Sequence, residues 1–220
     1  MLTAERLIGA LVAAFAGLLA LVRSKRSAAF DLAMTIRLQG WEHPAIAELM
    51  RLASWPGFPP QSRIIPPAII ATWWATRRRR AAAFQVGAWG GAALSTWIKA
   101  FIQRPRPLPP EVRVVVAPLG GTSFPSGHVL TYVPFYGFLA FLLAEHLNDG
   151  PLRNASVMTL TSVLAVVGPS RIQQGHHWTT DVLASYLLGT AYLLALIQLY
   201  HATTPRSMLE RIAGRRLADR

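Results

Sequence analysis

Apolar residues gather along this chain into six windows, at 7–22, 64–76, 81–98, 129–147, 157–168 and 181–200, with polar segments between them. A helix that crosses the hydrocarbon core needs about 20 apolar residues, within a working range of roughly 17–25. The first, third, fourth and sixth windows reach or approach that length. The second and fifth are short and must borrow flanking residues to span. The pattern predicts an all-α membrane protein: six spanning helices over residues 1–203, then a polar, basic cytoplasmic tail over 204–220.

The first window could be read as a secretory signal, since Arg6 precedes it and Ala14-Phe15-Ala16 resembles a cleavage site. That triplet lies inside the apolar run, which continues to Val22, and this favours an uncleaved first helix. Residues 24–63 form the longest connection. In it Phe30, Met34, Leu38 and Trp41 recur at helical spacing, with Arg37 and Gln39 between them. This predicts one short helix lying at the membrane interface. The Pro-rich piece WPGFPP at 55–60 breaks the chain before the second span.

Lys and Arg in short loops set orientation. Arg77, Arg78, Arg79 and Arg80 mark a cytoplasmic loop, and Trp73 and Trp74 just before them suit an interfacial belt. With six spans both termini are inside, in agreement with Arg206, Arg211, Arg215, Arg216 and Arg220 in the tail. Arg23, Lys25 and Arg26 then fall on the outer side, against the rule.

Composition sharpens this picture. The chain is 52% hydrophobic and 15% charged, against roughly 25% charged in soluble domains. Its net charge of +12 is compatible with nucleic acid, anionic lipid or an acidic substrate. The low charge density and long apolar runs argue against nucleic acid. The absence of cysteine excludes disulfides, thiolate nucleophiles and cysteine metal sites.

Three polar islands break the apolar pattern: KAFIQRPRP at 99–107, PSGH at 125–128 and SRIQQGHHWTTD at 170–181. The six-span topology puts all three on one membrane face. Cations near a membrane helix end are costly unless they snorkel or meet an anion. Lys99, Arg106 and Arg171 would converge there with two histidines and one carboxylate, so the natural ligand is an anion. Phosphate fits, because arginine binds its oxygens as a planar fork and lysine adds a point charge. Gly127 lets the backbone approach, and Ser126 can cap the fourth spanning helix or donate to an oxygen. The free amides at that helix start favour an anion. His177 and Asp181 stand one helical turn apart and can share a face. A carboxylate on one ring nitrogen would fix the tautomer and leave the other nitrogen free to attack phosphorus. His128 would then protonate the leaving alkoxide. Asp181 and Glu111 are the only carboxylates near the islands, so a two-metal site is disfavoured and no cofactor is implied.

Neighbouring residues invite simpler readings. His176 is five residues from Asp181, a poorer match to one turn than His177. Arg104 either admits an acidic head group or faces water. Thr122 and Ser123 read as loop hydrogen-bonders, Ser170 as a helix end or a phosphate contact, and Trp178 as an interfacial anchor. Tyr132 and Tyr136 read as packing residues.

Lys99-x6-Arg106-Pro107, Pro125-Ser126-Gly127-His128 and Ser170-Arg171-x5-His177-x3-Asp181 together resemble the three-part signature of the phosphatidic acid phosphatase type 2 superfamily. The order and spacings are intact. The resemblance implies a six-helix membrane bundle with the active site at the outer membrane face. It implies His177 as phosphohistidine nucleophile, Asp181 as its orienting partner and His128 as general acid. Lys99, Arg106, Ser126, Gly127 and Arg171 are implied as phosphate binders, without a metal. The activity to expect is metal-independent hydrolysis of a lipid phosphomonoester or pyrophosphate, in the undecaprenyl diphosphate, phosphatidylglycerophosphate, phosphatidic acid or lipid A class. The setting to expect is a bacterial inner membrane, with the site facing the periplasm or outside. A phosphotransferase with an alcohol acceptor, or a non-catalytic lipid-phosphate binder, are the alternatives. The latter has no need of His177 and Asp181.

Overall fold

A helix that is apolar on every face is buried on every face, and the run beginning at Gly127 meets that condition. In a computed structural model, which describes residues 3–115 and 120–203, this run is the central helix α6 (Gly127–His146), with Leu130, Phe135, Phe138 and Leu142 fully enclosed. Three helices surround it: α5 (Arg79–Ile102), α7 (Pro151–Gln173) and α8 (Thr179–Ala202). Helix α4 (Gln61–Ala75) packs on α5, and α1 (Ala4–Arg23) runs along α8. Gly91 lets α5 approach α6 closely: a Cβ there would collide with the Leu130 carbonyl. No strand occurs among the described residues.

Each of the six apolar windows falls on a helix. Among the described residues four helices, α1, α6, α7 and α8, are long and apolar enough to cross a membrane. Helix α5 matches them in length but carries Gln85, Ser95, Thr96 and Lys99 within it. Helix α4 has 15 residues, about 22 Å at 1.5 Å per residue.

The connection at 24–63 holds two helices where the apolar spacing predicts one. They are α2 (Ala28–Gln39) and α3 (Pro44–Ser54), the second followed by a 3-10 turn at Trp55–Gly57. The start of α3 carries a recognisable signal: Pro44 at its first position and His43 Nδ1 accepting from the Ala45 N–H at 3.2 Å. Both helices rest on α7. The Gln39 amide donates to the carbonyls of Arg113 and Gln173. The hydroxyls of Ser54 and Ser170 meet at 2.6 Å, so Ser170 ties α3 to α7.

The tetra-arginine lies at the far end of α5 from Lys99, about 30 Å away by helix rise. Arg78 and Arg79 sit over the rings of Trp73 and Trp74 at 5.6 and 5.4 Å. Arg80 donates to the Tyr200 carbonyl and packs over the Tyr200 ring at 4.0 Å. Arg23 and Lys25 line a cavity at the other end, beside Arg104, Asp31 and Glu111. The tail expected at 204–220 is outside the described residues.

Candidate active site

Helix α5 delivers Lys99 in its last turn, α6 starts at Gly127, α7 ends just past Arg171, and α8 begins two residues after His177. Four helix ends therefore meet, and the three polar islands come together. A cavity of about 500 Å³ opens among them, lined by Lys99, Arg106, Gly127, His128 and His177. Ser126, Asp181 and Arg171 sit outside that lining, each fully buried.

The imidazole of His177 has a defined tautomer. Its Nδ1 lies 2.7 Å from the Ser123 carbonyl, which only accepts, so Nδ1 carries the proton. Nε2 then carries the lone pair, which accepts a long hydrogen bond from Arg106 Nη1 at 3.4 Å. Asp181 Oδ2 is 3.6 Å from Nδ1, too far for a hydrogen bond. The carboxylate expected to fix this ring contributes its charge, while a backbone carbonyl sets the proton. Burial, then the charges of Arg106, Lys99 and Arg171, hold the His177 imidazole well below its ordinary pKa of 6.5.

His176 is engaged differently. Its Nδ1 accepts from Arg171 Nη2, and burial followed by the charges of Arg171 and Arg106 pushes its pKa down to about 3. It does not line the cavity. Arg171 Nη1 donates to Gln174 Oε1 at 2.9 Å, and its guanidinium lies 5.0 Å from the Phe58 ring centroid.

The cationic side chains are anchored by backbone oxygens. Lys99 Nζ donates to the Thr122 carbonyl at 2.7 Å, and Arg106 Nη1 to the His176 carbonyl at 2.7 Å. Burial lowers the pKa of Arg106. The start of α6 has no side-chain cap. A Cβ added at Gly127 would project toward Ser95 Oγ and Lys99 Cε, at 3.5 and 4.0 Å. Several buried polar atoms around this end have no protein partner: Ser95 Oγ, Thr122 Oγ1, Ser126 Oγ, His128 Nε2 and Arg106 Nε. Unpaired buried donors are expensive, and here they cluster about one cavity.

Residues outside the signature positions complete the site. Phe58, in the Pro-rich piece, packs edge-on against His128 at 4.8 Å between centroids. Gly57 lies so close to His128 that a Cβ there would meet the imidazole. Trp178 joins two islands rather than facing lipid alone: its indole donates to the Pro105 carbonyl at 3.0 Å. Arg104 does not line this cavity; it bridges Asp181 and Asp31, at 2.6 Å to each, at the edge of the neighbouring cavity beside Arg23 and Lys25. Asp31 gives no local sequence signal, since its partner stands 73 positions away.

A family model described as the PAP2 superfamily matches residues 80–205, more than half of the chain. Phosphatidylglycerophosphatase B of Bacillus subtilis (strain 168) is 36% identical over 100 residues, a match covering 44% of this chain and 46% of that protein. The chain thus matches under half the length of this curated relative. The solved structure of a transmembrane PAP2-type phosphatidylglycerolphosphate phosphatase from Bacillus subtilis superposes with a TM-score of 0.78 at 22% identity, covering 90% of this chain and 98% of that one. That likeness establishes the fold. With the helical fold, the converging islands and the family match in agreement, the chain belongs to the PAP2 superfamily.

Proposed function

We propose that the protein is a metal-independent lipid phosphatase that works through a phosphohistidine at His177. One observation carries this reading. The Ser123 carbonyl holds the His177 proton on Nδ1, so Nε2 presents its lone pair to a cavity that Lys99, Arg106 and the start of α6 make positive, and the long contact from Arg106 moves to a phosphate oxygen when substrate binds. In the first step Nε2 attacks phosphorus and the P–O bond to the lipid breaks. The leaving alkoxide takes a proton from His128. In the second step water gives a proton to His128 as its oxygen attacks phosphorus. The N–P bond breaks, its electrons return to Nε2, and phosphate leaves. Lys99, Arg106, Ser126 and the amides at Gly127 stabilise the equatorial oxygens. Arg171 adds positive charge from outside the lining, and Asp181 stabilises the imidazolium character that develops at His177.

The cavity supports a lipid substrate. Beyond its cationic end it is lined by Ala92, Thr96, Phe135, Tyr136 and Trp89. Trp89 is ten residues before Lys99, about 15 Å along α5. A phosphate at Lys99 and an acyl or prenyl chain toward Trp89 fit that gradient. We rank phosphatidylglycerophosphate first among candidate substrates, a choice supported by the name of the curated relative; undecaprenyl diphosphate, phosphatidic acid and lipid A phosphate follow. We read six spans, α1 and α4 to α8, with the tetra-arginine end cytoplasmic and the His177 end at the outer face of a bacterial inner membrane. The test is phosphate release by purified protein from this panel of lipids, beside His177→Ala. Release by the wild type and none by the variant is expected; equal turnover by both would remove the mechanism.

A further inference from the structure

We infer that Asp31, on the short helix α2 and outside all three motif segments, is a positioning residue for the His177 site: it divides the charge of Arg104 between two carboxylates and so leaves Asp181 negative toward the imidazole. This rests on the phosphohistidine reading above.

The geometry is that of one guanidinium between two acids. Arg104 Nη1 donates to Asp181 Oδ1 and Nη2 to Asp31 Oδ2, each at 2.6 Å. Both carboxylates are fully buried, and the arginine side chain is 13% exposed. An isolated buried acid is costly, yet Asp31 is fully satisfied. Its Oδ1 accepts the Thr180 N–H and its Oδ2 the Thr180 hydroxyl, both at 2.8 Å. Asp31 thereby caps the first turn of α8 from another helix, where an acid suits both the free amides and the helix dipole. Asp181, one residue on, accepts the Trp178 N–H through Oδ2 at 2.9 Å, and this same oxygen faces His177.

Counting charge shows what Asp31 adds. Arg104 and Asp181 alone form a neutral pair, with nothing left to offset positive charge on the histidine. With Asp31 the trio carries one net negative charge beside His177. That imidazole otherwise faces Lys99 from α5, Arg106 from the loop after it, Arg171 from α7, and His128 and His176. When Nε2 bonds to phosphorus the ring gains positive charge amid these cations. A net negative trio stabilises that state; a neutral pair does not.

The test uses the full chain in detergent micelles with phosphatidylglycerophosphate or phosphatidic acid, and the variants Asp31→Asn, Arg104→Gln and both together. Asp31→Asn is expected to lower kcat by about tenfold or more, with KM and vanadate inhibition within about twofold, as for a coupled buried neighbour. Loss of its negative charge makes the imidazole harder to protonate, so the acid limb of kcat/KM should move to lower pH. Arg104→Gln leaves both carboxylates uncompensated and should move that limb to higher pH, a readout independent of whether Asp31→Asn folds. The double variant should be no slower than Arg104→Gln, because without the guanidinium Asp31 has no charge to divide. An active wild type with unchanged kcat in Asp31→Asn would overturn the inference alone. So would losses that multiply in the double variant while the acid limb stays fixed, the signature of packing. A wild type that releases no phosphate from any lipid of the panel would remove the phosphatase reading, and this inference with it.

Discussion

Asp181 stands 3.6 Å from His177 Nδ1, while the Ser123 carbonyl takes that nitrogen's proton at 2.7 Å. Orientation of the ring and stabilisation of its charge are therefore assigned to different groups. Losing a carboxylate that also fixes the tautomer costs about 10⁴ in rate in a serine-protease triad. Asp181→Asn here should cost about a hundredfold in kcat, with vanadate inhibition little changed. A loss near 10⁴ would show that the carboxylate, not the carbonyl, holds the proton.

If His128 protonates the leaving oxygen, its importance depends on that oxygen's basicity. His128→Ala should lose about 10²–10⁴ in kcat with a lipid phosphomonoester. With p-nitrophenyl phosphate, whose phenolate leaves unaided, the loss should be much smaller. Equal losses with both substrates would remove His128 from the acid role.

Gly57 abuts the His128 ring, and a methyl group there would push on the imidazole. Gly57→Ala should lower kcat on lipid substrates by about tenfold or more, as misplaced catalytic groups do. It should leave thermal stability nearly unchanged, because the clashing atoms belong to a side chain that can turn. Full activity in this variant would show that His128 acts from another rotamer.

His176 and His177 are both held neutral below the ordinary imidazole range, His176 at about 3. Between those values and 6.5 the unfolded chain binds more protons than the folded one, so stability falls as pH falls. The melting temperature in detergent should decline steadily from pH 6.5 to 5, and His176→Gln should flatten that decline. A flat profile in the wild type would contradict burial of both rings in the neutral form.

Lys99 and Arg106 bring positive charge to the cavity as part of the chain. Phosphate release should accordingly survive EDTA, and vanadate, which adopts the five-coordinate geometry of the transition state, should compete with substrate. Loss of activity on chelation with recovery on adding a divalent cation would overturn the metal-free mechanism.

The motif residues were legible because each chemical type stands at a fixed local spacing. His177 and Asp181 are one turn apart on any helix start, and Lys99 and Arg106 flank a single helix end. The charge-dividing pair was not legible. Arg104 could be seen only as a basic residue before a proline, since Asp31 reaches it through folding alone. Phe58 was hidden by the prolines around it, which announce a chain break and say nothing about what the aromatic covers. Trp178 read as an interfacial anchor because indoles favour that zone, whereas its N–H is taken by Pro105. Helix α3 does not show in the apolar spacing, because its clearest mark is the proline at its start.

A contact made by a main-chain carbonyl has no side chain to delete. Ser123 presents its backbone oxygen to His177, so replacing the side chain removes the hydroxyl's bond to the Pro105 carbonyl and its interaction with the Asp181 carboxylate, and leaves the carbonyl in place. A saturation-mutagenesis survey at this position would report on the hydroxyl's contacts and stay silent on the peptide unit. Amide-to-ester replacement or unnatural-backbone chemistry would be needed to expose its contribution, and any redesign of the loop must preserve its path rather than its letters.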